Sequence, residues 1–413
     1  MELSFVLVGH DLELLDTLRL QLEREGQRVR VFSSSLEALE SATVRPPDCL
    51  VTDLSMPQLS GVELTQKLRS MAGLASTKIV VLSDEICQSE RDSALESGAD
   101  GFFSRASNDR SQILSEILAV VSERIRLKFW GCRGTIPVPG PGTLKYGGNT
   151  SCVSMTFPND HVFIFDAGTG IKPLADSLMA IEDRRLVGTI FFTHPHWDHI
   201  NFIPFFSPFF VPGNRLTLVG SPVQGQGIEQ LVNNQMGGVH FPITTSEFCA
   251  QVHYQDVDQR RYRFGPAEVE TMVLEHPGHC LGYSVFFGGK KICYVTDNEL
   301  FPEDSDRYNP DYVERLLLFV KEADVLIIDT TYFDDEYLTK VGWGHSGVSA
   351  VCRLAHQGMV KDLYLFHHDP GQDDEALERK LALGQRVLAR LGSTVRIRLA
   401  LAEEEVVLQR PLF

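Results

Sequence analysis

Three histidines and one aspartate crowd into a short segment that directly follows an apolar run. The run, residues 186–192, has the composition of a buried strand. The polar side chains after it are His194, His196, Asp198 and His199. Burying them without partners is costly, whereas a cation satisfies them together, since imidazole nitrogen and carboxylate oxygen are ligands of zinc and similar ions. The segment therefore predicts a metal centre at the end of a strand. We expect the first two histidines to face one ion and the last two side chains to face a second.

This His-x-His-x-Asp-His pattern resembles the signature of the metallo-β-lactamase superfamily. The resemblance covers roughly residues 126 to 413, and the later motifs of the family also occur in order. It implies an αββα sandwich, in which two β-sheets pack face to face with helices outside, and a hydrolytic site with two metal ions. One loop provides too few ligands for two ions, so the rest of the chain has to supply more.

Three later positions match the further ligands of the superfamily. The segment 275–283 offers two histidines. Relatives of the cyclic-phosphodiesterase and tRNase Z type use the position of His276, whereas glyoxalase- and lactonase-like relatives use that of His279. We favour His276, because the neighbouring motifs resemble the first group. Asp297 matches the carboxylate that bridges the ions, and His367 matches the last ligand.

The resemblance distributes these ligands over two divalent cations. One ion would be held by His194, His196 and His276, and the other by Asp198, His199 and His367, with Asp297 bridging. We also count Asp198 among the catalytic residues. Zn²⁺ is the expected ion, and Mn²⁺ or Fe fits the same nitrogen and oxygen ligands.

A candidate proton donor follows in residues 343–346, which resemble the histidine box of phosphodiester-cleaving relatives. In those relatives the histidine meets the scissile phosphate and an acid at a strand end orients it. Here these residues are His345 and Asp329, and both are predicted to be catalytic. A histidine suits the protonation of a leaving alkoxide near neutral pH. We expect Ser346 to cap the helix that follows.

Two features of the same region leave alternatives open. Asp166 resembles the aspartate of the family's first motif, which orders the metal loop without being a ligand, although a simple turn-forming role is the alternative. Five phenylalanines between residues 202 and 210 either belong to the core or line a pocket for a planar group such as a nucleobase. We favour the core.

Residues 1–122 alternate strand-like and helix-like stretches, which predicts a doubly wound parallel (βα)5 domain. They resemble the response-regulator receiver domain, with Asp53 at the phospho-acceptor position. Two departures stand out: Gly9 and His10 replace the acidic pair that holds Mg²⁺, and Arg105 replaces the lysine that contacts the phosphoryl group. Because Mg²⁺ requires carboxylate oxygens, we expect a degenerate receiver used for homodimerisation or for docking to a signalling protein. A phosphorylated switch and an unconventional response to metal or phosphate are the alternatives.

The predicted domains are thus residues 1–122 and a hydrolase domain at 123–413. The net charge is −17 and neither part carries excess positive charge, which argues against non-specific nucleic-acid binding but allows a small anionic substrate. No apolar run is long enough to span a membrane and the start has no basic signal-peptide region. The eight scattered cysteines include no CxxC pair. We therefore expect a cytoplasmic protein without membrane contacts.

The function that this resemblance implies is a metal-dependent phosphodiesterase acting on a small nucleotide, cyclic ones included. A thioester or lactone hydrolase is the first alternative; it would use His279 and leave His345 idle. A metal-binding signalling protein with little turnover is the second. Many true β-lactamases have a cysteine ligand in the second metal site, and the absence of a match here argues against antibiotic hydrolysis.

Overall fold

The computed structural model of the protein describes residues 2–84, 87–105, 110–181, 185–238 and 241–409. The chain forms two compact units, the first built mainly of residues up to Ile125 and the second mainly of Arg126 to Leu408. The domain boundary predicted at residue 122 stays a prediction. Among the described residues, every helix is too short or too polar to cross a lipid bilayer.

The first unit is a five-stranded parallel sheet with the strand order β2-β1-β3-β4-β5. Its elements are β1 (Ser4–Val8), α1 (Leu12–Arg24), β2 (Arg28–Phe32), α2 (Ser35–Val44), β3 (Cys49–Asp53), α3 (Gly61–Ser70), β4 (Lys78–Ser83), α4 (Gln88–Glu96), β5 (Gly101–Ser104) and α5 (Arg110–Val121).

Alternate residues of the central strands bury opposite faces of this sheet. In β1, Phe5 and Leu7 pack with the apolar sides of α1 and α5, whereas Val6 and Val8 pack with those of α2 and α3. Burial on both faces explains why this strand is apolar throughout rather than alternating. The predicted doubly wound (βα)5 fold is confirmed.

The second unit contains two seven-stranded sheets, ordered β11-β10-β9-β8-β7-β6-β19 and β12-β13-β14-β15-β16-β17-β18. Its elements are β6 (Ile125–Gly131), β7 (Cys152–Thr156), β8 (Val162–Phe165), α6 (Ile171–Met179), β9 (Val187–Phe191), α7 (Trp197–Ile200), β10 (Arg215–Gly220), α8 (Ile228–Gln235), β11 (Gln251–Asp256), β12 (Arg261–Phe264), β13 (Ala267–Leu274), β14 (Cys280–Phe287), β15 (Lys290–Val295), α9 (Pro310–Val320), β16 (Val325–Asp329), α10 (Asp334–Tyr337), α11 (Val348–Gln357), β17 (Asp362–Phe366), α12 (Asp374–Arg390), β18 (Arg396–Leu399) and β19 (Glu405–Leu408).

Aromatic side chains join the inner faces of the two sheets. Phe165 of β8 lies 5.3 Å, ring to ring, from Tyr294 of β15, and Phe129 of β6 lies 4.9 Å from Tyr364 of β17. The outer face of the first sheet is covered by α6 and α8, and that of the second by α9, α11 and α12. This arrangement is the predicted αββα sandwich.

The phenylalanine-rich segment belongs mostly to this core. Phe206 and Phe209 are fully buried, while Phe202 and Phe210 are half-buried against the same apolar cluster. Phe205 alone among the five is exposed, at 47%. The preference for a core role was right for four of these side chains.

The strands that position the site run parallel within each sheet, so their carboxyl ends share one edge. In the first sheet β8 and β9 are parallel neighbours, and in the second β15, β16 and β17 are. Polar residues follow each of these ends: Asp166 after β8, His194 after β9, Asp297 after β15 and His367 after β17. As in other α/β sheets, the carboxyl edge therefore gathers the chemistry-bearing side chains.

Candidate metal centre

A first group of ligand atoms lies between the loop after β9 and the loops after β13 and β15. His196 Nδ1 lies 2.8 Å from His194 Nε2 and 3.1 Å from His276 Nε2. Asp297 Oδ2 is 3.5 Å from His194 Nε2 and 3.7 Å from His276 Nε2. Four atoms from three segments of the chain thus lie within 4.8 Å of one another, close enough to be the ligands of a single ion.

The second group lies beside it and shares Asp297. His199 Nε2 is 3.2 Å from both Asp198 Oδ2 and Asp297 Oδ1. His367 Nε2 is 3.1 Å from Asp198 Oδ2 and 3.2 Å from Asp297 Oδ1. Each oxygen of Asp297 therefore faces one group, which is the arrangement expected of a bridging carboxylate.

The chemistry of His199 shows that the residues fit a cation. Its Nδ1 is 2.8 Å from Asp166 Oδ2; a carboxylate only accepts, so Nδ1 carries the proton. Its Nε2 is fully buried and has no hydrogen-bond partner among the residues that the structure describes. Burial lowers the pKa of His199, but the charges of Asp198, Asp297 and Asp166 outweigh burial and raise it well above its ordinary value. An orphaned nitrogen between two carboxylate oxygens demands positive charge, and a divalent cation supplies it.

The protonation states of the remaining ligands agree with this conclusion. Burial and the neighbouring imidazoles hold the pKa of His194 well below its ordinary value, so the ring is neutral and can coordinate. Burial raises the pKa of Asp297, but the neighbouring His367 and His199 outweigh burial, lower the pKa well below its ordinary value and keep the carboxylate ionised. Neutral imidazoles and ionised carboxylates are the forms that bind divalent metals.

Asp166 orients the metal-binding loop without belonging to either ligand group. Besides His199, it accepts hydrogen bonds from Thr193 N, 2.8 Å from Oδ1, and from the hydroxyl of Tyr294, 2.9 Å from Oδ2. Its backbone adopts the left-handed region, with φ 60°. These contacts match the loop-ordering role expected from the sequence, and they fix which nitrogen of His199 faces the centre.

The two candidate histidines of segment 275–283 lie in different places. His276 Nδ1 is 2.9 Å from the carbonyl oxygen of Gly344, to which it donates, and this leaves Nε2 free to face the first group. His279 Nε2 instead lies 2.9 Å from Ser221 Oγ. The geometry thus favours His276 as the ligand.

His345 lies at the edge of the second group, where it forms a further set of possible ligand atoms with Asp297 and His367, all within 4.8 Å of one another. Its Nδ1 is 2.6 Å from Asp329 Oδ2, and its ring stacks on that of His367 at 4.9 Å. Burial lowers the pKa of His345, but the charge of Asp329 and the hydrogen bond to it raise it to about 9. Since Nδ1 is engaged by the carboxylate, the other ring nitrogen is the one available to a substrate.

Comparison with known proteins identifies the second unit. A family model described as a beta-lactamase superfamily domain matches residues 161–368. The chain belongs to the beta-lactamase superfamily. A second model, the response regulator receiver domain, matches residues 5–117. Both resemblances read from the sequence are therefore confirmed, and the protein is a hydrolase-fold member of this superfamily with an N-terminal receiver domain.

Individual relatives agree with both assignments. Ribonuclease Z of Thermoplasma acidophilum is 24% identical over 297 residues, covering 62% of this chain and 90% of the relative. The transcriptional regulatory protein KdpE of Mycobacterium tuberculosis is 30% identical over 100 residues, covering 24% of this chain and 43% of the relative. The chain thus spans less than half of that regulator. The metallo-beta-lactamase fold protein YhfI from Bacillus subtilis superimposes with a TM-score of 0.51 at 17% identity, covering 70% of this chain and 100% of that one, which supports the fold alone.

Glu299 is a site residue of this superfamily member that the sequence did not single out. Its buried carboxylate accepts hydrogen bonds from the Tyr337 hydroxyl at 2.8 Å and from the backbone N–H of Gly342 and Gly344, each at 2.7 Å. The carbonyl oxygen of Gly344 then accepts from Nδ1 of the candidate ligand His276, and a Cβ at Gly344 would lie 2.3 Å from that nitrogen. Glu299 therefore holds the loop that both orients a candidate ligand and carries His345.

The capping role predicted for Ser346 was wrong. Helix α11 begins at Val348, with Gly347 at the N-cap. Ser346 Oγ donates to the carbonyl of Asn298 at 2.6 Å instead, and the first turn of the helix is bound by Asp334, whose Oδ1 accepts from Ser349 N at 2.9 Å. A side chain from the preceding helix thus does the work that a local serine would have done.

In the receiver domain, the phospho-acceptor candidate is already engaged. Asp53 is buried, and its Oδ2 accepts from His10 N at 2.9 Å and lies 3.0 Å from Arg105 Nη1. A Cβ at Gly9 would lie 2.6 Å from the same oxygen, so an acidic side chain does not fit there without movement of Asp53. Burial raises the pKa of this carboxyl despite its neighbours. The pocket is closed around Asp53 by cationic and backbone donors rather than by Mg²⁺ ligands.

We expect Asp53→Asn to leave turnover and assembly nearly unchanged, because residues 9 and 10 supply no carboxylate oxygens for the Mg²⁺ that phosphoryl transfer requires. The measurement is intact mass after incubation with acetyl phosphate and Mg²⁺, on the wild type and the variant. A stoichiometric phosphoryl adduct on the wild type that disappears in the variant would show that the pocket still works as a switch.

Proposed function

We propose that this protein is a dinuclear metal-dependent phosphodiesterase acting on a small nucleotide, cyclic ones included, with Zn²⁺ as the favoured ion. The observation that carries the proposal is the pair His345 and Asp329, set directly beside the ligand groups that share Asp297. A phosphodiester has an alkoxide leaving group that needs a proton, and this pair offers one at the place where the substrate would lie.

The chemistry divides between the ions and the side chains. Two bound divalent cations would supply Lewis acidity and a water nucleophile near neutral pH, and the ligand groups described above would hold them. Asp329 fixes the tautomer and direction of His345, which donates a proton from its other ring nitrogen to the leaving oxygen. The negative charges of Asp198 and Asp297 would help to retain the cations, and the hydrogen bond from His199 to Asp166 keeps the other nitrogen of His199 directed towards them.

A phosphodiester substrate is favoured over a thioester or lactone by the positions of the histidines. A lactonase-like hydrolase would use His279 as a ligand, but His279 lies beside Ser221 and not beside the other candidate ligands. It would also give His345 no role in the reaction. The relationship to a protein named ribonuclease Z points the same way.

The receiver domain suggests a signalling connection, for which we propose docking or homodimerisation without phosphorylation.

Metal content and a substrate panel on the intact protein test this function. Elemental analysis after purification without chelator should give about two divalent ions per chain, because the candidate ligands outnumber those of one tetrahedral site. The metal-loaded protein should hydrolyse bis(p-nitrophenyl) phosphate and at least one nucleotide diester. One ion or none when metal is supplied contradicts the dinuclear centre. Turnover of thioesters or lactones alone would favour a thioester or lactone hydrolase. No turnover of any substrate would favour a metal-binding signalling protein.

A further inference from the structure

A groove of about 460 Å³ lies next to the metal centre, on the side of His276. Its walls include the loop of Gly342 and Gly344, which leads directly into His345, and the segment that carries Phe301 and Arg307. The groove therefore begins at the proposed metal ligand His276 and passes Gly344, the residue before the proposed proton donor His345. Nothing in the reaction described above uses it.

Arg307 places a free positive charge in this groove. The arginine is exposed, and its guanidinium lies 6.0 Å from the ring centre of Phe301. Within the described part of the chain it forms no ion pair with a carboxylate. It approaches the backbone of Gly342 so closely that a Cβ there would lie 2.1 Å from Nη1, and this glycine has φ +88°. A guanidinium held against a loop but left without an anion is suited to bind one.

Two carboxylates also line the groove, and they differ in their availability. Glu299 is buried, and its oxygens are occupied by the Tyr337 hydroxyl and two backbone N–H groups, so it serves the loop. Glu275 is exposed and opposes an anionic ligand. The groove thus has one cation that attracts an anion and one accessible carboxylate that repels it. Neutralising the cation should weaken the binding of an anion, and neutralising the carboxylate should strengthen it.

The direction of the reaction connects the groove to the leaving group. If His345 protonates the leaving oxygen, the fragment attached to that oxygen has to lie on the His345 side of the centre, where Gly344 borders the groove. We propose, resting on the phosphodiesterase function above, that the groove is a subsite for a phosphate carried by the leaving fragment and that Arg307 binds it. The favoured substrate is then a linear, phosphate-bearing nucleotide diester, because a cyclic mononucleotide releases no separate fragment.

Three thymidine dinucleotides test this subsite: TpT, pTpT and TpTp. Whichever nucleoside leaves, one of the phosphorylated forms carries its extra phosphate on the leaving side. With the intact, metal-loaded protein, that form should have a KM roughly tenfold below that of TpT, in line with one charge-assisted hydrogen bond. Arg307→Gln should abolish this advantage while leaving kcat, and the turnover of TpT and bis(p-nitrophenyl) phosphate, nearly unchanged. The matched variant Glu275→Gln should enlarge it.

The outcomes separate the subsite from the function on which it rests. Two results overturn the subsite alone. In the first, the protein hydrolyses bis(p-nitrophenyl) phosphate and the dinucleotides but shows no preference for a phosphorylated dinucleotide. In the second, it hydrolyses bis(p-nitrophenyl) phosphate but none of the dinucleotides. A KM increase in Arg307→Gln that is equal for all substrates also overturns the subsite, because Arg307 would then support the fold of the loop. Absence of turnover for every diester, with both ions bound, overturns the phosphodiesterase function and the subsite together.

Discussion

Replacing His345 by alanine is expected to keep both metal ions and to lower the turnover of an alkyl diester by roughly 10²–10⁴-fold, the usual contribution of a general acid. The reason is geometric: one ring nitrogen of His345 is bound to Asp329 at 2.6 Å. His345 does lie within 4.8 Å of ligand atoms of Asp297 and His367, but Asp198, His199 and His367 form the second ligand group without it, so retained metal in the variant tests this assignment. The loss should be much smaller for bis(p-nitrophenyl) phosphate, since p-nitrophenolate is a weak base that scarcely requires a proton. Turnover of both diesters, with metal content measured alongside, is the check.

The dependence on the leaving group distinguishes a proton donor from a structural histidine. If His345 only packed against His367, its removal would disturb a ligand, and both diesters would suffer equally while metal was lost. A thioester or lactone hydrolase would show little effect. Asp329→Asn serves as the companion variant: it should reproduce the same leaving-group dependence with a smaller loss, because the ring remains but is less firmly held.

The sequence was most informative where one short pattern contains several ligands. His194, His196, Asp198 and His199 were predicted as ligands because so many polar side chains in one short segment are hard to bury without a cation. The structure gathers them, although their role as ligands stays a prediction. His276, Asp297 and His367 were matched by motif, and the structure brings their side chains to the same place, although their role as ligands stays a prediction. The alternation of strands and helices was enough to predict the (βα)5 fold, whereas the αββα sandwich was implied by the family resemblance. Sheet order was not predictable, because a neighbour such as β19 for β6 is set by packing across the whole unit.

The residues that the sequence did not reveal act through the backbone or through distant side chains. Glu299 binds the N–H groups of Gly342 and Gly344, and a backbone donor leaves no signature in a sequence. Asp334 replaces Ser346 at the start of α11 from an adjacent helix, which a local capping rule cannot anticipate. In the receiver domain, the loss of the acidic pair was visible, but the ion pair of Arg105 with Asp53 depends on side-chain direction.

Asp297→Asn should reduce the metal content from about two ions per chain to about one and lower diester turnover by roughly 10³-fold or more, since a catalytic ion contributes several kcal/mol of charge stabilisation. The two carboxylate oxygens face different ligand groups: Oδ1 lies 3.2 Å from His199 Nε2 and Oδ2 lies 3.5 Å from His194 Nε2. An asparagine keeps one oxygen, which still serves one ion, but its NH₂ group is a donor that cannot ligate a cation. Elemental analysis and turnover on the same sample give both quantities.

A buried aspartate at the other end of the sheet provides the control for this variant. Asp362 lies at the amino end of β17, where its Oδ1 accepts from Arg396 Nε at 2.7 Å, far along the strand from His367. Asp362→Asn should lower the stability of the protein while leaving metal content and turnover near those of the wild type, because it removes an ion pair and no ligand. If Asp297→Asn behaved like this control and retained two ions with full turnover, Asp297 would not be the bridge, and the ions would have to be held by the histidines and Asp198 alone.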